Sequence, residues 1–97
     1  MAAYVIAEVD ITDPDSYKAY ATAVPATIAQ YGGRFLVRGG ASEVLEGDWP
    51  PLRRVIIEFP STEAARAWWD SPEYAKPKSM RRAASRGRLI LLEGFEG

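Results

Sequence analysis

Four short segments, whose side chains alternate with period two and carry apolar residues on both faces, restrict this chain more than any other feature. They are 3–11 (AYVIAEVDI), 34–38 (RFLVR), 53–59 (RRVIIEF) and 88–93 (RLILLE). One face collects Val5, Ala7, Val9, Phe35, Val37, Val55, Ile57, Phe59, Leu89 and Leu91, and should lie under helices. The other collects Tyr4, Ile6, Glu8, Arg34, Leu36, Arg38, Arg54, Ile56, Glu58, Arg88, Ile90 and Leu92. In a monomer, the six uncharged members of that second set would form a larger apolar patch than monomers usually carry. A second copy laid against it across a two-fold axis removes the exposure. The alternation therefore points to a homodimer through the sheet face.

The punctuation between these strands is helical. Thr12-Asp13-Pro14-Asp15 offers an N-cap, a proline at the first helical position and an acid facing the positive dipole end. Tyr17, Tyr20, Ala21, Val24, Ile28 and Tyr31 follow as an amphipathic stripe. Pro25 lies inside the stripe and is expected to kink the helix, because it removes a backbone bond near Ala21. Gly32-Gly33 supplies a left-handed ending. Gly39-Gly40 is expected to bulge the second strand before it resumes at 42–46. Gly47-Asp48-Trp49-Pro50-Pro51 reads as a loop, since two prolines do not fit a central strand. Ser61 caps a helix running to about Asp70. Ser71-Pro72-Glu73 starts a short turn, followed by a basic helix at about 77–86. The order β-α-β-β-α-β is the split βαβ of a ferredoxin-like sandwich, one α+β domain over 1–97 with an antiparallel sheet. That fold implies the strand order 4-1-3-2, with strands one and three central, adjacent and taken as parallel.

The absences narrow the chemistry. The chain has no cysteine and no histidine, so it forms no disulfide and has neither a thiol nucleophile nor an imidazole proton shuttle. Haem and transition-metal ligation lose their usual residues, and the scattered acids match no calcium-loop pattern. No metal and no cofactor is expected. No apolar run approaches the roughly 20 residues of a membrane span. The opening MAAYVIAEVD lacks the marks of a signal peptide, so a cytoplasmic location is the expectation. Net charge is −1 but uneven: residues 1–75 hold eleven acids and six bases, residues 76–97 two acids and six bases. The run Lys76, Lys78, Arg81, Arg82, Arg86, Arg88 reads first as a solvated helix face, with an anion site as the alternative.

The motif string Gly32-Gly33-Arg34, Arg38-Gly39-Gly40, Glu46-Gly47-Asp48-Trp49-Pro50, Glu58-Phe59-Pro60-Ser61, Ala67-Trp68-Trp69 and Ser71-Pro72-Glu73-Tyr74 resembles the domain-of-unknown-function family numbered 1330. Asp13-Pro14 and Tyr17 to Tyr20 extend the resemblance over nearly the whole chain. It implies a dimeric α/β barrel made of two facing sheets. Relatives in that superfamily include cofactor-free monooxygenases, muconolactone isomerases, haem-degrading enzymes and stress-related dimers. A haem enzyme would need a histidine this chain lacks.

Two groups of residues are candidates for chemistry. Glu8 and Glu58, on neighbouring strands and the partner-facing side, could raise one carboxyl pKa and act as a general acid or base. The competing reading is that Arg34, Arg38 or Arg54 on the same face, or arginines of a partner copy, neutralise them. Trp68 and Trp69 lie about 100° apart on one helix, so one is core and the other lines a groove or interface. With Trp49, Tyr74 and Arg38, Trp69 would wall a pocket for a planar ligand, the alternative being plain packing. Ser61 and Ser71 read as helix caps, and the glycine pairs match no phosphate loop. Nucleic-acid binding fits poorly, because the open sheet face offers only Tyr4 for stacking. Two functions remain: a non-catalytic dimer binding a small hydrophobic or aromatic metabolite, or a cofactor-independent monooxygenase or isomerase using Glu, Arg and Tyr.

Overall fold

A computed structural model describes residues 1–96. The elements run β1 (Ala3–Ile11), α1 (Pro14–Gln30), β2 (Arg34–Arg38), β3 (Arg53–Phe59), α2 (Thr62–Trp69), α3 (Pro72–Ala84) and β4 (Ser85–Glu93). The sheet order is β2-β3-β1-β4, and every neighbouring pair is antiparallel. The α+β ferredoxin-like architecture stands as expected, including the central position of β1 and β3. Their parallel orientation does not. A hairpin-like return turns β3 against β2, which makes it antiparallel to β1, with Ala3 opposite Phe59 and Glu8 opposite Arg54.

Each helix begins on the cap its sequence offers. Asp13 accepts from Ser16 N, Ser61 from Ala64 N and Ser71 from Tyr74 N. α1 ends as Gly32 turns to a φ of 77° and Gly33 donates back to Ile28 O at 3.0 Å. Two helix expectations change. The turn at Ser71 and the basic helix form one element, α3, which runs through Pro77 although that residue has no N–H to give the Glu73 carbonyl. β4 starts at Ser85, three residues earlier than expected, and takes over the positions assigned to the helix end.

Val5, Ala7, Val9, Val55, Ile57 and Phe59 are buried under the helices, joined by Tyr17, Tyr20, Val24 and Ile28 from α1 and by Trp68 and Tyr74. Trp68 is fully buried and stacks on Tyr74 at 4.1 Å between ring centroids. The second strand departs most from expectation. Residues 42–46 do not extend it, and the segment from Gly40 to Leu52 holds no strand. The bulge sits between Phe35 and Val37, not at Gly39-Gly40. Phe35 pairs with Ile57 on the helix side, whereas Val37 pairs with Ile56 and Arg38 with Val55. Leu36 is the extra residue, and past it the alternation has changed phase. Val37 therefore belongs to the outer face, and Arg38 to the helix face.

With the register known, the outer face resolves into rows. Arg54, Glu8 and Arg88 form a charged row; Val37, Ile56, Ile6 and Ile90 an aliphatic one; Arg34, Glu58, Tyr4 and Leu92 a mixed one.

Candidate functional site

Glu8 and Glu58 are not a pair. In the antiparallel register Glu8 faces Arg54 while Glu58 faces Tyr4, four positions away, or about 13 Å along the strand. Glu8 accepts from Arg88 Nη2 at 2.8 Å and from Arg54 Nε at 3.1 Å, and Glu58 accepts from Arg34 Nε at 2.9 Å. The hydrogen bonds from Arg88 and then Arg54 hold the Glu8 carboxyl below its ordinary range. That direction is opposite to the one a general acid needs.

The aromatic candidates are also divided. Trp68 is the core member of its pair and Trp69 the half-buried one, under the Lys78 ammonium 4.3 Å from its ring centroid. Tyr74 is buried behind it, ring centroids 5.9 Å apart. Trp49 lies elsewhere, in the loop after β2, with its Nε1 donating to Glu46 O at 2.8 Å and the Arg54 guanidinium 5.3 Å from its ring. Trp69 lines an apolar groove of about 240 Å³ between α2 and β4, together with Trp68, Leu89 and Leu91. Trp49 does not border it. Arg66, the charged residue in that groove, is paired with Asp70.

A second void lies between the sheet and α1. It has a volume of about 30 Å³, enough for a water molecule or two. Tyr17, Tyr20, Phe35 and Trp68 provide its aromatic walls, and Ala7 and Ala21 leave the space. Arg38, Arg53 and Arg81 also line it, and no Asp or Glu does so among the described residues.

Each arginine arrives for a local reason. Arg38 is turned inward by the bulge, and its Nη2 donates to Ala21 O. That carbonyl lacks its usual helix partner because the residue four positions on is Pro25. The proline that interrupts the α1 ladder thus creates the acceptor that anchors Arg38. Arg53 is in phase with Val55, Ile57 and Phe59, and pairs opposite Val9 on the core side. Its guanidinium carbon is 5.7 Å from the Tyr17 ring centroid, and its buried Nε has no hydrogen-bond partner. Gly39, at a φ of 67°, gives it room: a Cβ there would lie 2.2 Å from Arg53 Nη1. Arg81 is only 5% exposed, and its Nε donates to Tyr74 Oη at 3.4 Å. Tyr74 Oη is in turn 3.2 Å from Tyr20 Oη. Burial and the neighbouring Tyr74 push the Tyr20 hydroxyl pKa well up, so it remains protonated and available as a donor.

Of the residues expected to form a site, only Arg38 lines this void. Arg53, Arg81, Tyr17 and Tyr20, which also line it, were not among the residues the sequence singled out for a site. Arg53 carried a signal, a charge in phase with the apolar face of its strand. Arg81 carried one too, falling seven residues after Tyr74 and three before Ala84 on the buried stripe of α3.

This arrangement defines a small ferredoxin-like α+β protein with a cationic cavity beneath its first helix. The chain belongs to the family described as Domain of unknown function (DUF1330), which matches residues 2–95. No curated protein matches it. Among solved structures it is similar to a protein of unknown function from Rhodopseudomonas palustris, with 22% identity, a TM-score of 0.79 and coverage of 99% of this chain and 84% of that one. It is also similar to SnoaB, a cofactor-independent oxygenase from Streptomyces nogalater, with 15% identity, a TM-score of 0.71 and coverage of 99% and 95%. A dimeric ferredoxin-like protein of unknown function from Jannaschia sp. is 13% identical, with a TM-score of 0.73 and coverage of 97% and 100%. At these identities the likeness establishes the fold. No described helix is long and apolar enough to cross a membrane.

Proposed function

We propose that this protein is a homodimer, joined through its outer sheet face, that binds a small hydrophobic or aromatic metabolite beneath α1 and performs no catalysis. The observation that carries the ligand reading is the incompletely filled layer between α1 and the sheet, with aromatic walls and convergent polar groups. The void under α1 and the groove beside α2 share Trp68 and Leu89 as a common wall. This reading requires half-buried Leu89 to move and join them, which would give space for a molecule of one or two rings. The dimeric neighbour from Jannaschia sp. and the aliphatic row on the outer face support the paired sheets. Titration with aromatic compounds should change the fluorescence of Trp68, which borders both voids. Ala21→Leu fills the cavity and should abolish the response while leaving the dimer intact. A flat titration of the parent protein, or an unchanged one in Ala21→Leu, would overturn this site.

A second reading, a cofactor-independent oxygenase or isomerase, is favoured by the Arg81–Tyr74–Tyr20 chain of donors beside the void. A protonated Tyr20 could stabilise a developing oxyanion on a bound phenol or enol. Glu8 and Glu58 have no part in it, since both lie on the opposite face of the sheet. Oxygen uptake with a panel of phenols, lost in Tyr20→Phe, is the result this reading requires. No uptake with any of them leaves the binding protein.

A further inference from the structure

We propose that the ligand of the cavity under α1 is an organic carboxylate, its acid group held by Arg53 with Arg38 beside it. This inference rests on the reading of that cavity as the ligand site, and it names the chemical class the site selects.

The argument begins with how the arginines are paired. On the outer face Arg34, Arg54 and Arg88 each meet a carboxylate oxygen at 2.8–3.1 Å. On the inner face Arg38, Arg53 and Arg81 meet none among the described residues, although they border one small, mostly apolar space. Arg38 is exposed, Arg53 half-buried and Arg81 buried, so the desolvation falls on Arg53 and Arg81, and a charge taken out of water is normally paired. A polar atom buried without a hydrogen bond is uncommon as well, and Arg53 Nε is the case here among the described residues. Both deficits fall at one place, and an incoming anion would satisfy both.

The geometry narrows the class. Guanidinium groups present planar forks that match a carboxylate in bidentate fashion. Arg38 uses one of its donors on Ala21 O, which fixes the group and leaves others free. The walls are the rings of Tyr17, Tyr20 and Phe35, so the body of the ligand is apolar and flat. Gly39, at a φ of 67°, flanks the Arg53 head, and the described lining of the void holds no carboxylate that could supply the missing charge from within.

The test compares three probes on the intact protein at constant ionic strength: 2-naphthoate, its uncharged amide and inorganic phosphate. Binding is read from amide chemical shifts of residues around the cavity. Naphthoate should bind about tenfold to a hundredfold more tightly than the amide, the range of a hydrogen-bonded charge. Arg53→Met should reduce naphthoate to the level of the amide and leave the amide unchanged. Arg53→Lys, which keeps the charge but not the fork, should fall between them and guards against a folding defect in Arg53→Met. Equal binding of naphthoate and amide, or no effect of either substitution, would overturn the carboxylate inference while the cavity remains a binding site. Phosphate binding more tightly than naphthoate would also overturn it. If none of the three binds, the cavity reading fails and this inference fails with it.

Discussion

Replacing Trp68 by alanine should remove most of the stability of this domain. The indole is fully buried, stacked on Tyr74 at 4.1 Å and tilted against Phe59 at 5.4 Å, and its Nε1 donates to Thr27 Oγ1 at 3.1 Å. Truncating such a residue costs about 3–5 kcal/mol in lost transfer energy and residual cavity. Domains as a rule hold only about 5–15 kcal/mol, and a chain of this length sits toward the lower end. Trp68→Phe keeps the ring stacking and gives up the hydrogen bond and some volume, for about 1–2 kcal/mol. Urea unfolding followed by far-ultraviolet circular dichroism would rank the three proteins. A loss under about 1 kcal/mol in Trp68→Ala would contradict the packing described here.

The second large effect is expected at the outer face. Ile90 is 56% exposed in the single chain and ends the row Val37, Ile56, Ile6, Ile90. At such a position a lysine barely disturbs an isolated subunit, since its ammonium reaches water. In a two-fold dimer built on this face the same lysine occurs twice in an apolar seam. A buried unpaired charge costs about 3–5 kcal/mol, which corresponds to roughly a hundredfold or more in the dissociation constant. Sedimentation equilibrium should therefore show a dimer for the parent and a monomer for Ile90→Lys at the same micromolar concentration, with unchanged circular dichroism. A dimeric Ile90→Lys would place the interface elsewhere, and a monomeric parent would remove the paired-sheet reading.

Most of the fold was legible because its signals are local. Asp13, Ser61 and Ser71 cap helices by bonds to residues three positions away, so spacing alone reveals them. The inner-face alternation of β1 and β3 holds because neither strand is interrupted. What sequence could not supply was relative orientation. Glu8 and Glu58 look adjacent if their strands run together, and stand four residues apart once β3 is reversed. Nor could it place the bulge, whose position depends on how β2 docks against β3 rather than on its own residues. Gly39-Gly40 was the obvious candidate, yet Gly39 serves to clear the Arg53 guanidinium. The site was missed for a related reason. Charged residues on strands were assigned to the outer, partner-facing side, and Arg53 escaped notice although its phase matches Val55 and Ile57. The link between Pro25 and Arg38 joins residues thirteen apart through one orphaned carbonyl, a dependence no periodicity reports.

The bulge in β2 gives that strand a phase as well as a path. Leu36 is one surplus residue, and its absorption as a bulge decides which of its followers look inward and which look outward. Deleting Leu36 would leave a regular ladder in which Val37 still meets Ile56 and Arg38 still meets Val55, so both keep their faces. A pairing that kept Leu36 without the bulge would instead return Arg38 to the outer face and turn Val37 inward. The two proposed surfaces thus meet in one five-residue segment, and the handling of a single residue assigns side chains to each. Losing that residue is a change of length the strand can take without exchanging its faces, whereas a slip of register that spares it alters both at once.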